Sequence, residues 1–344
     1  MIHYKNKTMR HIYLIFIIFT ITSCQNSSII NIETIHVSDI TECTGELLTN
    51  IHDGCYINGI IKDTFLCLQN ECSEQLFHVY STRSMNKLFE FGTKGRGPNE
   101  YIFPLFINTF DSKILSIHDL SLNRLTNIQL NNYPNKEAYS DTLLPPESIN
   151  TYNLNILDSI NIASSILNDS SLFYIYDKQF NIKAKINYEP RFFVSPKGNI
   201  HDAYSLTITS NSKQHSIIAV FKYLNLINFY DLNGHLQKSI ELDLLKDKID
   251  CSQFQLSEDM IVTSYNTYPT HDFCYILWQG VPVNRAYQSP CYILAFTWQG
   301  ELKKTYRINL PLNYIIVDEE NGYLIGSIYS EKTEFVELYK YQLQ

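Results

Sequence analysis

The chain has 344 residues, of which 18% are charged, and 27 basic against 35 acidic side chains give a formal net charge of −8. Such an acidic chain excludes nucleic acid as a partner, because that needs basic patches, and it excludes broad electrostatic attachment to anionic lipid. The length allows a large core and fits a single domain if that domain is a big all-β one.

Lys5, Lys7 and Arg10 precede the apolar run His11 to Thr22, which is shorter than the about 20 residues a spanning helix needs. A charged start, a short apolar run and a small residue before the cut describe a removable signal. The sequence Ile21-Thr22-Ser23-Cys24 resembles the bacterial lipoprotein signal, which implies cleavage before Cys24 and acylation of that cysteine. Several acyl chains hold a protein stably where one does not. The membrane is therefore an expected partner through Cys24. The boundaries follow as signal 1–23, lipidated tether 24–29 and folded domain 30–344. Loss of the three basic residues moves the formal charge from −8 to −11. Gln25, Asn26, Ser27 and Ser28 supply no acidic run, which favours an outer-membrane protein facing the periplasm.

Downstream there is no long helical pattern. Short apolar runs are broken by Asn, Asp, Gly or Ser at strand-like lengths, and the abundant Tyr and Ile favour strands while Asn favours turns. Hairpins are predicted at 76–80 with 87–91, 114–119 with 124–130, 173–177 with 182–188, 226–231 with 236–242, and 291–297 with 302–308. Other β-like runs fall at 102–109, 216–223, 261–265 and 273–278. The Cys-Tyr-Ile-Leu runs at 274–277 and 291–294 mark adjacent strands of one unit. The stretch 133–148 reads as an excursion within a unit. Units of four strands and about 53 residues give six β-propeller blades. The last unit, 314–341, supplies three strands, and the alternating segment Ile29 to Val37 is expected to add the fourth and close the ring.

Seven cysteines remain beside Cys24: Cys43, Cys55, Cys67, Cys72, Cys251, Cys274 and Cys291. An odd number cannot all pair within one chain. Cys67 and Cys72 flank a polar turn and suit a hairpin bridge, whereas Cys251, Cys274 and Cys291 sit among apolar residues and read as small buried hydrophobes.

The chain resembles the TolB-like six-bladed β-propeller lipoproteins of Bacteroides-type bacteria. The resemblance rests on the lipoprotein start at Cys24, Phe91-Gly92 through Gly95-Arg96-Gly97-Pro98-Asn99-Glu100-Tyr101, the turn Phe296-Thr297-Trp298-Gln299-Gly300, and the segment from Ile316 to Gly326. It implies an all-β six-bladed propeller in the cell envelope and carries over no catalytic residues. Thr297 and Gln299 stand where the pattern has Asp, so nothing argues for a cation at that turn.

Gly92 to Tyr101 is not a phosphate loop, since Pro98 and a strand follow its glycines rather than a helix. It reads as a tight blade-to-blade connection in which Arg96 and Glu100 pair. Such loops share a face with the strand 2–3 loop Val281 to Pro290. Arg96, Asn99, Glu100, Tyr101, Asn284, Arg285 and Tyr287 are the resulting ligand-binding candidates. His-Asp pairs occur at 52–53, 118–119, 201–202 and 271–272. His118-Asp119 suits a local backbone bond. His201, Asp202, His271 and Asp272 are the candidates for a divalent cation in the central channel, and no other cofactor is expected. The first functional reading is a non-enzymatic module that binds a solute, glycan or protein partner, or acts as a scaffold, on its loop face. The alternative is a hydrolase or lyase with its site in the central channel, with or without the assistance of a metal.

Overall fold

A computed structural model describes residues 31–51, 54–109, 113–135, 138–146, 151–165, 171–188, 200–245, 249, 257–330 and 334–343. The signal, the tether with Cys24, the pair His52-Asp53 and Cys251 lie outside the described residues. Residues from Ile32 onward form one compact unit.

Three short strands come first: β1 (Ile32–Ile35), β2 (Ile40–Cys43) and β3 (Glu46–Leu47). Blade I follows with β4 (Tyr56–Lys62), β5 (Phe65–Asn70), β6 (Phe77–Ser81) and β7 (Lys87–Phe91). A small parallel pair, β8 (Thr93–Lys94) and β9 (Glu100–Tyr101), folds the connection to blade II. Blade II holds β10 (Pro104–Ile107), β11 (Ile114–Asp119), β12 (Arg124–Gln129) and β13 (Tyr139–Leu143). Blade III holds β14 (Thr151–Ile156), β15 (Asn161–Ser165), β16 (Ser171–Tyr176) and β17 (Ile182–Asn187). Blade IV holds β18 (Leu206–Asn211), β19 (Ser216–Phe221), β20 (Ile227–Asp231) and β21 (Leu236–Leu242). Blade V holds β22 (Ile261–Pro269), β23 (Phe273–Pro282), β24 (Cys291–Thr297) and β25 (Leu302–Ile308). Blade VI holds β26 (Tyr314–Asp318), β27 (Tyr323–Ser330) and β28 (Phe335–Gln342). The fold is a six-bladed, all-β propeller.

An N-terminal strand does complete blade VI, but it is β3, through Tyr339 opposite Leu47 and Lys340 opposite Glu46. The segment expected for that role, Ile29 to Val37, instead contributes β1, which lies parallel to β21 as a fifth strand of blade IV. Then β2 adds in parallel to β25 of blade V. The alternation of apolar and polar residues in β1 identifies an edge strand, and it carries no information about which edge.

The hairpins predicted from sequence are strands 3 and 4 of blades I, III, IV and V, and strands 2 and 3 of blade II. Cys-Tyr-Ile-Leu at 274–277 and 291–294 are adjacent, with Leu277 opposite Ile293. The stretch 133–148 is more than an excursion, because it contains β13, whose exposed polar residues gave no apolar signal.

Central strands such as β16 and β19 are buried along their whole length, because the next blade covers each face. The outermost β17 alternates exposed and half-buried residues. The core is a series of wedges between blades. One joins Phe77 and Leu115 of blades I and II, another joins Phe173 and Ile217 of blades III and IV, and a third joins Phe229 and Phe296 of blades IV and V.

Cys55 and Cys72 form a disulfide, so the expected Cys67–Cys72 bridge is not the one made. Cys67 is fully buried on β5, and Cys43, Cys274 and Cys291 are likewise free and buried. The Asn70 carboxamide oxygen accepts from the amides of Cys55 at 3.0 Å and Cys72 at 3.1 Å, which holds the two cysteines together.

Trp298 locks blade V to its neighbour. Its indole N–H donates to the Thr270 carbonyl at 3.2 Å, and its own carbonyl accepts from Ser216 Oγ of blade IV at 2.8 Å. Its side chain is 2% exposed. Trp298→Ala is expected to cost about 3–5 kcal/mol, the range for emptying a large buried aromatic site. Urea unfolding with an unchanged m value would show it, and a loss below about 1 kcal/mol would contradict the packing described.

Candidate functional site

Each blade's first strand faces the axis, and all six run the same way around it. Their starting ends define an upper face, which also carries the strand 2–3 loops and the blade-to-blade loops. The axial channel opens there as a cavity of ≈ 350 Å³. Side chains from all six blades reach it, among them Asn58, His118, Tyr152, Lys222, Ser264 and Asn313. Deeper, a narrower space of ≈ 120 Å³ is lined by Asn108, Asn155, Thr207, Thr209, Thr267 and others. Tyr268 stands at its lower end, where its hydroxyl accepts from the Ile61 amide at 3.0 Å and spans from blade V to blade I.

The lining amides have a structural origin. A first strand has no partner on its axial side, so its backbone groups need side chains or water. Asn155 Nδ2 donates to the Ile208 carbonyl of the next blade at 3.3 Å, and Asn266 Oδ1 accepts from the Ile315 amide at 3.1 Å. The same carboxamides make the channel polar without making it charged. Among the described residues no carboxylate lines the mouth or the middle of the channel. Asp63, Asp318, Glu319 and Glu320 instead gather at the lower end. There burial pushes the Glu319 carboxyl upward.

At the mouth, His118 Nε2 and Ser264 Oγ are buried with no hydrogen-bond partner. A buried polar atom of this kind needs a partner, which a water or a ligand can supply. Beside the mouth lies a second cavity of ≈ 300 Å³, lined by Tyr56, Gln279, Tyr287, Tyr314 and Tyr329. It shares Ile57, Asn313 and Tyr314 with the mouth, so the two form one trough. Gln279 Nε2 donates to the Ala286 carbonyl at 3.1 Å, while its Oε1 is buried and unpartnered.

Of the residues nominated from sequence, only Tyr287 lines this trough. Arg285 is exposed, and Asn284 is tied down, its amide donating to the Glu258 carbonyl at 3.0 Å and its side chain to Asp259 at 3.3 Å. In the glycine-rich loop Tyr101 is fully buried against Phe77, with the Arg124 guanidinium 5.3 Å above its ring, and so belongs to the core. Glu100 does not pair with Arg96. Its carboxylate accepts from the Gly97 amide at 2.7 Å. Arg124 clamps the loop by donating to the carbonyls of Gly97 and Glu100. Arg96 and Asn99 are exposed on its outer side, with Asn99 at a φ of 60°, where Asn is tolerated. The loop is built as a joint between blades I and II.

The candidate cation ligands are not brought together. His201-Asp202 lies in the helical turn Ile200–Ala203, just before β18 at the upper face. His271-Asp272 lies in the β22–β23 turn at the lower face, and the intervening strand length is roughly 20 Å or more. Topology overrides the sequence pairing here, since one pair starts a first strand and the other ends one. Asp119 does have the expected backbone role, accepting from Ile102 at 2.7 Å and from Ser121 and Leu122 at 3.0 Å. Sequence reasoning missed His118 as a channel residue, along with Asn58, Ser264, Gln279, Asn313 and Tyr329.

The chain belongs to the TolB-like 6-blade propeller-like family, whose description matches residues 57–320. Its fold is similar to the crystal structure of a DUF4221 family member from Bacteroides vulgatus, at a TM-score of 0.61 and 12% identity over 89% of this chain and 99% of that one. It is also similar to a Bacteroides fragilis protein whose name assigns it to export, at a TM-score of 0.53 and 13% identity over 91% of this chain and 100% of that one. At these identities the likeness is one of fold. No curated protein matches the sequence.

Burial pushes the His118 imidazole down to about 4. An unfolded chain takes up that proton near pH 6.5, so between these values the unfolded state binds it and the folded state does not. Stability is therefore full above about pH 6.5 and falls as the pH drops toward 4, by about 3 kcal/mol from this group. His118→Gln should flatten the curve in that window. His78, pushed down by burial and by Lys87, acts in the same sense and persists in the variant. Denaturant midpoints from pH 7 to 4 would decide it, and an identical slope in both proteins would contradict the neutral buried ring.

Proposed function

We propose that this TolB-like propeller is a cell-envelope binding module that takes a small polar solute into the upper mouth of its axial channel. The carrying observation is the convergence of polar side chains from all six blades on one cavity, where buried polar atoms of His118 and Ser264 have no partner among the described residues. A ligand would satisfy groups that the fold leaves unsatisfied. The cavity falls within the size range of small-molecule sites, at its smaller end. The rigid ring holds these groups in place, which suits recognition. The metal-assisted version of the hydrolase or lyase alternative has less support, because its nominated ligands sit at opposite faces.

The leader and Cys24 support a lipid anchor, and the named export of a structural neighbour supports an envelope location. The anchor orients the module toward the periplasm from the outer membrane. Metabolic labelling with an alkyne fatty acid should mark the native chain and leave Cys24→Ser unmarked. Equal labelling of both would overturn the anchor.

For the site, the full-length chain and an Asn58→Trp variant, which fills the mouth, are compared by thermal shift against sugars, amino acids, nucleosides and short peptides. One solute class should stabilise the native chain, by about 2.7 kcal/mol at a hundredfold excess over its dissociation constant, and leave the variant unmoved. A second filling variant, Asn313→Trp, guards against one that does not fold. Equal stabilisation of native and filled proteins, or none by any class, would refute the site.

A further inference from the structure

We infer that the solute is a neutral oligosaccharide lying across the channel mouth and the adjoining tyrosine cleft. The inference rests on the binding-module reading and gives that module a ligand class.

Charge is the first discriminator. Among the described residues no carboxylate lines the mouth, and no charged side chain lines the cleft. Lys222 carries the one permanent charge among the described residues of the mouth, and its ammonium lies 5.0 Å above the Tyr223 ring. A cationic ligand would find no carboxylate among the described residues here to offset the loss of its hydration. An anion would have that single ammonium at one edge of the trough. A neutral ligand incurs no such cost.

Hydrogen-bonding capacity is the second. Gln279 Oε1 only accepts, the half-buried amides of Asn58 and Asn313 both donate and accept, and Ser264 Oγ does both. His118 Nε2 donates or accepts according to its tautomer. A ligand that meets this mixed set must carry groups that donate and accept at closely spaced positions. Vicinal hydroxyls do so, whereas an apolar ligand would offer nothing to Gln279 Oε1, Ser264 Oγ and His118 Nε2.

The third is the aromatic wall. Tyr287 and Tyr329 are 65% and 51% exposed, which is unusual for large side chains bordering a cavity. Their ring faces carry partial negative charge. The C–H faces of a pyranose carry partial positive charge and lie flat against such rings. Tyr287 is set at this height by the long β23 and the tight turn Val283–Gln288 that follows it.

The test uses calorimetry on the full-length chain in a non-glycosidic detergent. The probes are maltotetraose, cellotetraose, xylotetraose and mannotetraose, with tetragalacturonate as the anionic arm and a nucleoside and a tetrapeptide as non-saccharide arms. At least one neutral tetrasaccharide should bind. Tyr287→Ala should weaken it about tenfold, the size of one aromatic contact. Tyr287→Phe should retain it, Asn313→Ala should weaken it, and Leu143→Ala on the outer rim should leave it unchanged. Binding by none of the neutral tetrasaccharides, or binding indifferent to Tyr287→Ala, overturns the assignment. Binding of tetragalacturonate alone also overturns it, in favour of an anion site. If the nucleoside or the tetrapeptide binds and is lost in Asn58→Trp while no sugar binds, the binding module stands and the saccharide falls. If no probe responds to Asn58→Trp, both fall.

Discussion

Everything in this protein depends on sheets that must be covered on both faces. A four-stranded twisted blade cannot bury its apolar surfaces alone, so each blade is half of two wedges, and a wedge exists only if its neighbour is present. Five blades would leave two open faces. Completion of the last blade by β3 therefore joins the beginning of the domain to its end, and the path that β1 and β2 take along the edges of blades IV and V brings the chain to that position. These two strands also cover ladder edges that would otherwise invite pairing with another chain.

The same geometry creates the channel chemistry. Six first strands meet the axis with unpaired backbone groups, and burying them under apolar side chains would strand those groups without partners. Asparagine solves this with one carboxamide that both donates and accepts. Asn155 and Asn266 visibly spend part of that capacity bridging to adjacent blades. Asn58 and Asn313 line the cavity at its mouth. A polar channel without carboxylates among its described upper lining is thus a by-product of closing a ring from sheet edges. His118, Ser264 and the tyrosines of blades V and VI are additions to it.

The sequence was legible where a strand pair was apolar and its turn was marked. Hairpins such as Phe173–Tyr176 with Ile182–Asn187 stood out because outer strands alternate and central ones do not. The first strands were harder to see. Asn58, Asn153 and Asn266 interrupt their apolar runs, and asparagine is ordinarily a sign of a turn. That residue, read as punctuation, was the lining of the site. The glycine-rich loop drew the eye for the opposite reason. Its glycines and charges imitate a ligand loop, whereas Arg124 and Glu100 use their charges to hold its backbone. The Cys55–Cys72 bridge was hidden too, because Cys67 lies closer to Cys72 in sequence while β5 turns its side chain into the core.

The two ends of the axis differ in a way that bears on direction. Acidic groups collect below Tyr268, and the tyrosine-walled trough lies above it. A solute approaching from below would meet carboxylates and then a buried ring braced by the Ile61 amide. From above it meets exposed aromatic faces first and amides second. Contact with the rings needs no exact register, because stacking tolerates sliding, whereas the amides and His118 demand correct placement. For a solute bound as proposed, capture by the rings would precede alignment by the amides, both at the upper face.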